Sequence, residues 1–209
     1  GAITVNNNFI IGGSATLYSD VYQITGNATG VFTMDNGTGL QLGNIGSGNN
    51  IQFPSNYPTA NITLNSGSTV TYQSNANQTI SGVPAYGNLT VATGGIKTLT
   101  GGPLTTTIQG ALTINAGTFN LGTTTTTVNV GGNVAAVPGA SNLIFGATVP
   151  QTMNITGDLN GAGTINLSGG GLTHRINLTG NNNSSGTFTA GSSTFDYNGV
   201  NQIARSITG

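Results

Sequence analysis

The sequence predicts an all-β protein, and within that class it favours a parallel β-solenoid (a β-helix) built from short Gly-, Asn- and Thr-rich rungs. Two observations lead to this prediction. Short segments alternate apolar with small polar residues, which is the pattern of a half-buried strand. Clusters of Gly, Asn and Ser separate the segments, and these residues favour turns. Helix is nearly excluded, because Glu is absent and Lys, Arg and Met are scarce.

The predicted strands recur along the chain from residue 88 onward. In order they are "NLTV" from residue 88, "ALTI" from 111, "TFNL" from 118, "TVNV" from 127, "MNIT" from 153, "TINL" from 164, "RINL" from 175 and "TFTA" from 187. Each alternates apolar with polar residues, the period-two pattern of a half-buried strand. Strands this short, punctuated by turns, indicate an all-β fold.

Two architectures fit these strands. In a β-solenoid, coils of about 20 residues stack on one another around a narrow column of Val, Ile and Leu. A core that narrow suits a chain with only 35% hydrophobic residues. The alternative is a pair of tandem antiparallel β-sandwich modules, which need a thicker core with more large apolar residues than this chain has.

Internal echoes indicate a repeat. The phrase "STVTYQSNANQTISG" at 68–82 is echoed at 193–209, and a weaker copy occupies 14–26. The opening "GAITVN" also recurs later as "GALTIN". We therefore predict a single elongated repeat domain over 1–209 that is a segment of a longer array, with echo units near 14–26, 68–134 and 193–209.

Charge is the most unusual feature of the composition. Charged residues make up 3% of the chain, against about 25% in typical globular proteins. Three basic residues cannot neutralise a run of phosphates, so we expect no nucleic-acid partner. No apolar run is long enough to cross a bilayer, and we expect no membrane insertion. The absence of Cys excludes disulfides and thiolate metal sites.

One region resembles a known class of protein. The phrases "STVTYQSNANQTISGVPAYGNLTV", "IKTL", "GALTINAGTFNLG" and "TTVNVGGNV" resemble repeat regions of large secreted bacterial surface adhesins, especially Bacteroidetes-type and gliding-associated ones. The similarity covers 68–134 best and 193–209 next, whereas 27–60 matches poorly. The resemblance implies export, extended length and a stalk or binding surface, and it brings no active-site residues.

Few side chains are suited to catalysis, so we expect no enzyme activity and no cofactor. His174 next to Arg175 could act as a general base, but the pair is more typical of a corner whose side chains point to solvent. Asp158 and Asp196 could form the acid–base pair of a polysaccharide-degrading β-helix. Both lie in "GDLNG" and "FDYNG" contexts, where Asp is common at the end of a strand.

Two isolated aspartates and two threonine runs bear on metal binding and ice binding. Asp20 and Asp35 have no neighbouring carboxylates in the sequence, so no metal site is predicted. A flat Thr array could order water on an ice-binding surface, and the run at 123–127 with the shorter run at 105–107 raises this alternative. Elsewhere the Thr spacing is irregular, which favours ordinary polar strands with one exposed face.

Two residue types could carry a binding role. Asn in an N-x-[ST] triplet is a glycosylation signal, and a surface with so little charge needs another source of solubility. The candidate acceptors are Asn27, Asn36, Asn61, Asn77, Asn88, Asn154, Asn166, Asn177, Asn182 and Asn183. Tyrosines can stack on sugar rings when several line one face, or can cover the core instead. The candidates for sugar stacking are Tyr18, Tyr22, Tyr72, Tyr86 and Tyr197.

The sequence therefore predicts a structural or adhesive segment of an exported bacterial surface protein, located outside the cell or on its surface. We expect it to form a stalk or a self-associating extracellular fibre. Its partners would be copies of itself, end to end or side by side, and surface glycans. A carbohydrate-binding β-helix is the alternative, followed by an ice-binding or polysaccharide-degrading β-helix.

Overall fold

The computed structural model describes residues 1–46, 48–102, 104–137, 139 and 141–203. It is a parallel β-solenoid, which confirms the predicted fold class. Two 3-10 turns, Thr59–Asn61 and Gly169–Gly171, are the helical segments of the described chain. None of the described residues forms a helix long and apolar enough to cross a membrane.

The strands of the described residues are short, mostly three or four residues each. The first eight are β1 (Ala2–Thr4), β2 (Phe9–Ile11), β3 (Thr16–Tyr18), β4 (Gln23–Thr25), β5 (Phe32–Met34), β6 (Gly39–Leu42), β7 (Ile62–Leu64) and β8 (Thr69–Tyr72). The next eight are β9 (Gln78–Ser81), β10 (Asn88–Val91), β11 (Ile96–Thr100), β12 (Thr105–Ile108), β13 (Leu112–Ile114), β14 (Gly117–Asn120), β15 (Thr127–Val130) and β16 (Val134–Ala136). The last eight are β17 (Ser141–Ile144), β18 (Thr152–Ile155), β19 (Leu159–Gly161), β20 (Thr164–Asn166), β21 (Arg175–Leu178), β22 (Asn182–Ser184), β23 (Phe188–Thr189) and β24 (Thr194–Tyr197).

Three long sheets form the faces of the column. The first sheet has the order β22-β19-β16-β13-β10-β8-β6-β3, the second β23-β20-β17-β14-β11-β9, and the third β12-β15-β18-β21-β24. Two smaller sheets, β1-β4 and β2-β5-β7, complete the first coils. From β10 onward the chain visits the first, second and third sheets in turn, so each coil contributes one strand to each face.

All strand pairings among the described residues are parallel. Tandem antiparallel sandwiches are therefore not formed. The physical reason is that each coil leaves its strand edges open for the next, so backbone groups pair from coil to coil.

The core is a column of inward-facing side chains, one layer per coil. Along the first sheet the paired inner residues are Leu17, Leu40, Val70, Leu89, Leu112, Val134, Leu159 and finally Asn182. Outer positions of the same strands are half-buried or exposed, which is the alternation that the sequence shows. The narrow column explains how a chain with so few large apolar residues buries a continuous core.

The sequence echo does not superimpose on the faces of the column. Tyr72 lies in β8 of the first sheet, whereas Tyr197 lies in β24 of the third sheet. The end of the last echo unit, 204–209, lies outside the described residues. Coils of the first sheet differ in length, from 19 residues between the paired Thr69 and Asn88 (88 − 69) to 30 between Gly39 and Thr69 (69 − 39).

Candidate functional site

The outward surface of the third sheet is the most regular polar surface of the described chain. We call it the Thr/Asn face. One of its rows contains Thr105, Thr127, Thr152, Arg175 and Thr194, and the other contains Thr107, Asn129, Asn154, Asn177 and Asp196. Neighbouring residues in a row belong to successive coils, so their spacing is the strand spacing of about 4.8 Å.

The Asn side chains of this face hydrogen-bond to one another. Asn154 Nδ2 donates to Asn129 Oδ1 at 2.7 Å, and Asn177 Nδ2 donates to Asn154 Oδ1 at 2.7 Å. Arg175 Nη1 lies 3.2 Å from Asp196 Oδ2, so the two charges of the face offset each other. The Thr/Asn face is therefore an ordered array of hydrogen-bonding groups without net charge, which can contact a neutral polar partner without desolvating an unpaired charge.

The Thr run that raised ice binding does not itself form a flat array. Thr127 lies in β15, whereas Thr123 and Thr124 are exposed outside the strands and Thr125 is buried. The array arises instead from single threonines brought into register from separate coils. The sequence hid this row because its members are separated by unequal lengths of chain.

The prediction that Tyr72 and Tyr86 stack on sugar rings is wrong, because both residues are buried. Tyr72 and Tyr86 are both fully buried in the core, so neither ring has a surface to offer to a sugar. Their hydroxyl oxygens lie 3.2 Å apart, and the Tyr86 hydroxyl donates to the Ser81 carbonyl at 2.7 Å. Burial raises the pKa of Tyr72 and of Tyr86 well above the ordinary value, and the pair is an internal hydrogen-bonded brace.

The remaining tyrosine candidates lie at opposite ends of the column. Tyr18 is exposed at the end of β3 and Tyr22 is exposed just before β4, both in the first coils. Tyr197 is half-buried in the last described coil, its ring centroid 4.9 Å from that of Phe195. Its hydroxyl accepts a hydrogen bond from Asn182 Nδ2 at 2.9 Å. The structure therefore brings the five candidates together on no single face.

His174 is buried, and the expectation that it points to solvent is wrong. Its Nδ1 accepts a hydrogen bond from the Gln151 backbone N–H at 3.1 Å, so the ring proton is on Nε2, which faces the Gly169 carbonyl at 3.1 Å. Phe145 lies beside the ring, with centroids 5.3 Å apart. Both ring nitrogens lie within hydrogen-bond distance of backbone groups. The bond from the Gln151 N–H joins His174 to the preceding coil.

The two carboxylates proposed as an acid–base pair have separate partners. Asp158 lies just before β19 and accepts a hydrogen bond from the Asn181 backbone N–H at 2.7 Å. Asp196 lies within β24 and pairs with Arg175. Asp20, for which no metal site was predicted, accepts a hydrogen bond from Asn44 Nδ2 at 2.6 Å. Within the described ranges, no group of three or more His, Cys, Asp or Glu residues is arranged to hold a metal ion.

The candidate glycosylation sites differ in accessibility. Asn36, Asn77 and Asn183 are exposed, whereas Asn182 is buried with its amide bonded to Tyr197 and cannot carry a glycan in the folded state. The half-buried candidates are Asn27, Asn61, Asn88, Asn154, Asn166 and Asn177. The amides of Asn154 and Asn177 are occupied by the bonds along the Thr/Asn face.

Lys97 is the interior residue that the sequence analysis missed. It is fully buried, and its Nζ donates to the carbonyls of Ser74 at 2.6 Å, Ala76 at 2.7 Å and Gly94 at 2.6 Å. Burial lowers the pKa of Lys97 to about 8. The alternation in "IKTL" contains the signal, because Lys97 has the same phase as the buried Leu99.

Comparisons of the chain with protein-family models, with curated proteins and with solved structures found no match.

Proposed function

We propose that the chain is a non-enzymatic structural and adhesive segment of an exported bacterial surface protein, forming a stalk or a self-associating extracellular fibre. The observation that supports this most is the parallel pairing of strands from successive coils. On the first sheet eight coils pair in uninterrupted sequence from β3 to β22. Each coil contacts mainly its neighbours, so the length of such a column grows with the number of coils.

End-to-end association is supported by the first coil. β1, β2 and β3 are each the terminal strand of their sheet, so each has one edge unpaired by the described residues. Ile3 points toward the column in register with the buried Ile24, yet it is 43% exposed. An open edge above an exposed apolar layer pairs with a strand of another coil, either from a second copy or from a longer form of the same chain.

Side-by-side contact and adhesion are supported by the low charge of the faces. The net charge of −1 leaves little repulsion between copies. The Thr/Asn face presents neutral hydrogen-bonding groups, which suit another copy or a surface glycan. Glycosylation at the exposed Asn36, Asn77 and Asn183 would keep such a surface soluble outside the cell.

Carbohydrate binding is the second candidate, and one observation favours it. Tyr18 and Tyr22 expose 62% and 46% of their surface close to each other in the chain. Exposed aromatic rings are suited to stacking on the apolar faces of sugars. Loss of binding to a glycan array in the double variant Tyr18→Ser and Tyr22→Ser would support this role, and unchanged binding would remove these tyrosines from it.

The test of self-association is sedimentation velocity over a range of protein concentrations. Ile3→Lys places an inward-pointing charge on the open edge, a device by which natural edge strands avoid pairing. We expect the wild type to form larger species as concentration rises and Ile3→Lys to remain monomeric. Thr113→Lys adds the same charge to an outward position of β13 in the middle of the column, and should associate like the wild type.

A further inference from the structure

The connection between β3 and β4 carries a carboxylate at a corner of the first coils. It is a tight turn, because the Tyr22 N–H donates to the Ser19 carbonyl at 2.9 Å. Asp20 lies inside this turn with a φ of +53°, in the left-handed region that residues other than glycine rarely adopt. Backbone of this kind persists where the surrounding structure holds it, and it concentrates at ligand sites.

The next coil holds the turn in place. The Gly43 N–H donates to Ser19 Oγ at 3.2 Å, and the Ser19 N–H donates to the Gln41 carbonyl at 2.9 Å. Asn44 Nδ2 donates to Asp20 Oδ1 at 2.6 Å, which fixes the carboxylate at the surface. A group that is already fixed in position loses little conformational freedom when a ligand binds to it.

The charge of Asp20 is not offset by a basic partner. Among the described residues, no Lys, Arg, His or terminal amine lies within ion-pair distance of its carboxylate. Residues 1–96 contain two acidic residues, Asp20 and Asp35, and no Lys, Arg or His. A cation that reaches Asp20 therefore meets a negatively charged part of the chain without a competing basic side chain.

Two exposed aromatic rings flank this carboxylate in the sequence. Tyr18 lies two residues before Asp20 and is 62% exposed, and Tyr22 lies two residues after it and is 46% exposed. The face of an aromatic ring attracts a cation, and it also packs against apolar C–H groups. A carboxylate between two such rings suits a ligand that combines a positive charge with sugar rings.

From these observations we propose that the turn at residues 18–22 binds an amino sugar through its protonated amine. The ammonium group pairs with the Asp20 carboxylate, and the rings of Tyr18 and Tyr22 contact the sugar beside it. This inference rests on the proposed carbohydrate-binding role of the two tyrosines, and it adds the class of sugar and the residue that selects it. An N-acetylated sugar of the same size lacks the positive charge and binds more weakly.

The test is an NMR titration of the whole chain with tetramers of glucosamine and of N-acetylglucosamine, at about pH 6, where the free amines are protonated. We expect the glucosamine tetramer to bind about threefold to fivefold more tightly, the value of an exposed ion pair. Added salt should reduce this preference, because exposed charges are screened.

Asp20→Asn keeps the shape of the side chain and an oxygen for Asn44, and it should abolish the preference for the amino sugar. Asp35→Asn is the matched control, since it removes the same charge from the turn between β5 and β6. It should leave the preference unchanged. Equal affinity of the wild type for the two tetramers would overturn the proposal, as would an equal loss of preference in the two variants.

Two further outcomes separate this site from simpler explanations. Tetralysine carries ammonium groups without sugar rings, so binding of tetralysine as tight as that of the glucosamine tetramer would overturn the proposal. Equal binding of both sugar tetramers that is lost in the Tyr18→Ser and Tyr22→Ser double variant would also overturn it, but would leave the carbohydrate-binding role of the tyrosines intact. Absence of binding by either tetramer would overturn both.

Discussion

Lys97 shows how a single residue can be buried without a carboxylate partner. Its ammonium has three N–H donors, and three backbone carbonyls from two turns accept them. These bonds favour the charged form, whereas removal from water disfavours it. Because the pKa falls to about 8 from the ordinary 10.5, desolvation outweighs the hydrogen bonds.

The lowered pKa of Lys97 predicts how stability changes with pH. Between about pH 8 and the ordinary value of 10.5, the unfolded chain binds more protons at Lys97 than the folded chain. The free energy of unfolding should therefore rise by about 1–2 kcal/mol from pH 8 to pH 9.5. Urea unfolding at a series of pH values measures this. The pH series ends at 9.5 because Tyr72 and Tyr86 also affect stability at higher pH. Their raised pKa values lower the free energy of unfolding above the ordinary tyrosine pKa of 10.0.

Lys97→Met is the matched variant for this experiment, because Met fills a similar volume without a titrating group. Its unfolding free energy should be flat over the same pH interval. A rise of equal size in Lys97→Met would show that other groups cause the pH dependence and would contradict the account of Lys97.

His174 and Arg175 make a second residue-scale prediction, since the two neighbours face opposite ways. His174→Phe keeps a ring against Phe145 but leaves the buried Gln151 N–H without its acceptor, which should lower the unfolding free energy by about 1–3 kcal/mol. Arg175→Gln removes an exposed ion pair and should cost less than about 1 kcal/mol. Chemical denaturation of both variants checks the order, and equal losses would contradict the buried role of His174.

At the scale of the coil, some corner glycines allow two successive coils to approach closely. Gly122 has a φ of +73°, and a Cβ there would lie 2.0 Å from the Leu99 carbonyl oxygen of the preceding coil. Gly101 has a φ of +57° but nothing within 4 Å of a Cβ. Both positions therefore have a left-handed backbone that other residues rarely adopt, but only Gly122 lies against a neighbouring coil.

This difference gives an element-scale prediction. Gly101→Ala should lower the unfolding free energy by about 1–2 kcal/mol, the cost of a left-handed alanine. Gly122→Ala should lower it by at least about 3 kcal/mol, because the methyl group also forces two coils apart. Thermal and urea unfolding of the two variants measure the difference. Similar losses of unfolding free energy in the two variants would mean that contact with the neighbouring coil does not restrict the side chain at Gly122.

The strands were predictable wherever the alternation is regular. "NLTV", "TVNV" and "RINL" lie wholly in β10, β15 and β21, with the alternating burial that period two implies. Burial inside a strand phrase was harder to predict, because alternation fixes which residues share a side but not which side is inward at a turn. Tyr86 and His174 both lie next to strands instead of within them, and both are buried.

Register between coils was not predictable from the sequence. Thr105, Thr127 and Thr152 are paired neighbours, yet steps of 22 and 25 residues separate them (127 − 105 and 152 − 127). A constant number of residues per coil would have revealed this row of threonines, but turns of different lengths make that number vary. The irregular segment 51–57 was hidden for the same reason, since it lies where one coil is longer than its neighbours.

At the scale of the whole molecule, three parallel sheets make a narrow column whose coils are held by backbone pairing and one inner layer of side chains each. Eight strands spaced by about 4.8 Å give the first sheet a height of about 3–4 nm. The faces carry few charges, and the outer edges of β1, β2 and β3 are unpaired by the described residues. These features together favour association along the axis of the column.

Electron microscopy of native material, purified without denaturant, tests the proposed self-association most directly. We expect filaments many times longer than the single column of about 3–4 nm, present in the wild type and in Thr113→Lys and absent in Ile3→Lys. Circular dichroism of the three proteins should be the same, so that loss of filaments reports the edge and not the fold. Separate short rods in the wild type at every concentration would contradict the account.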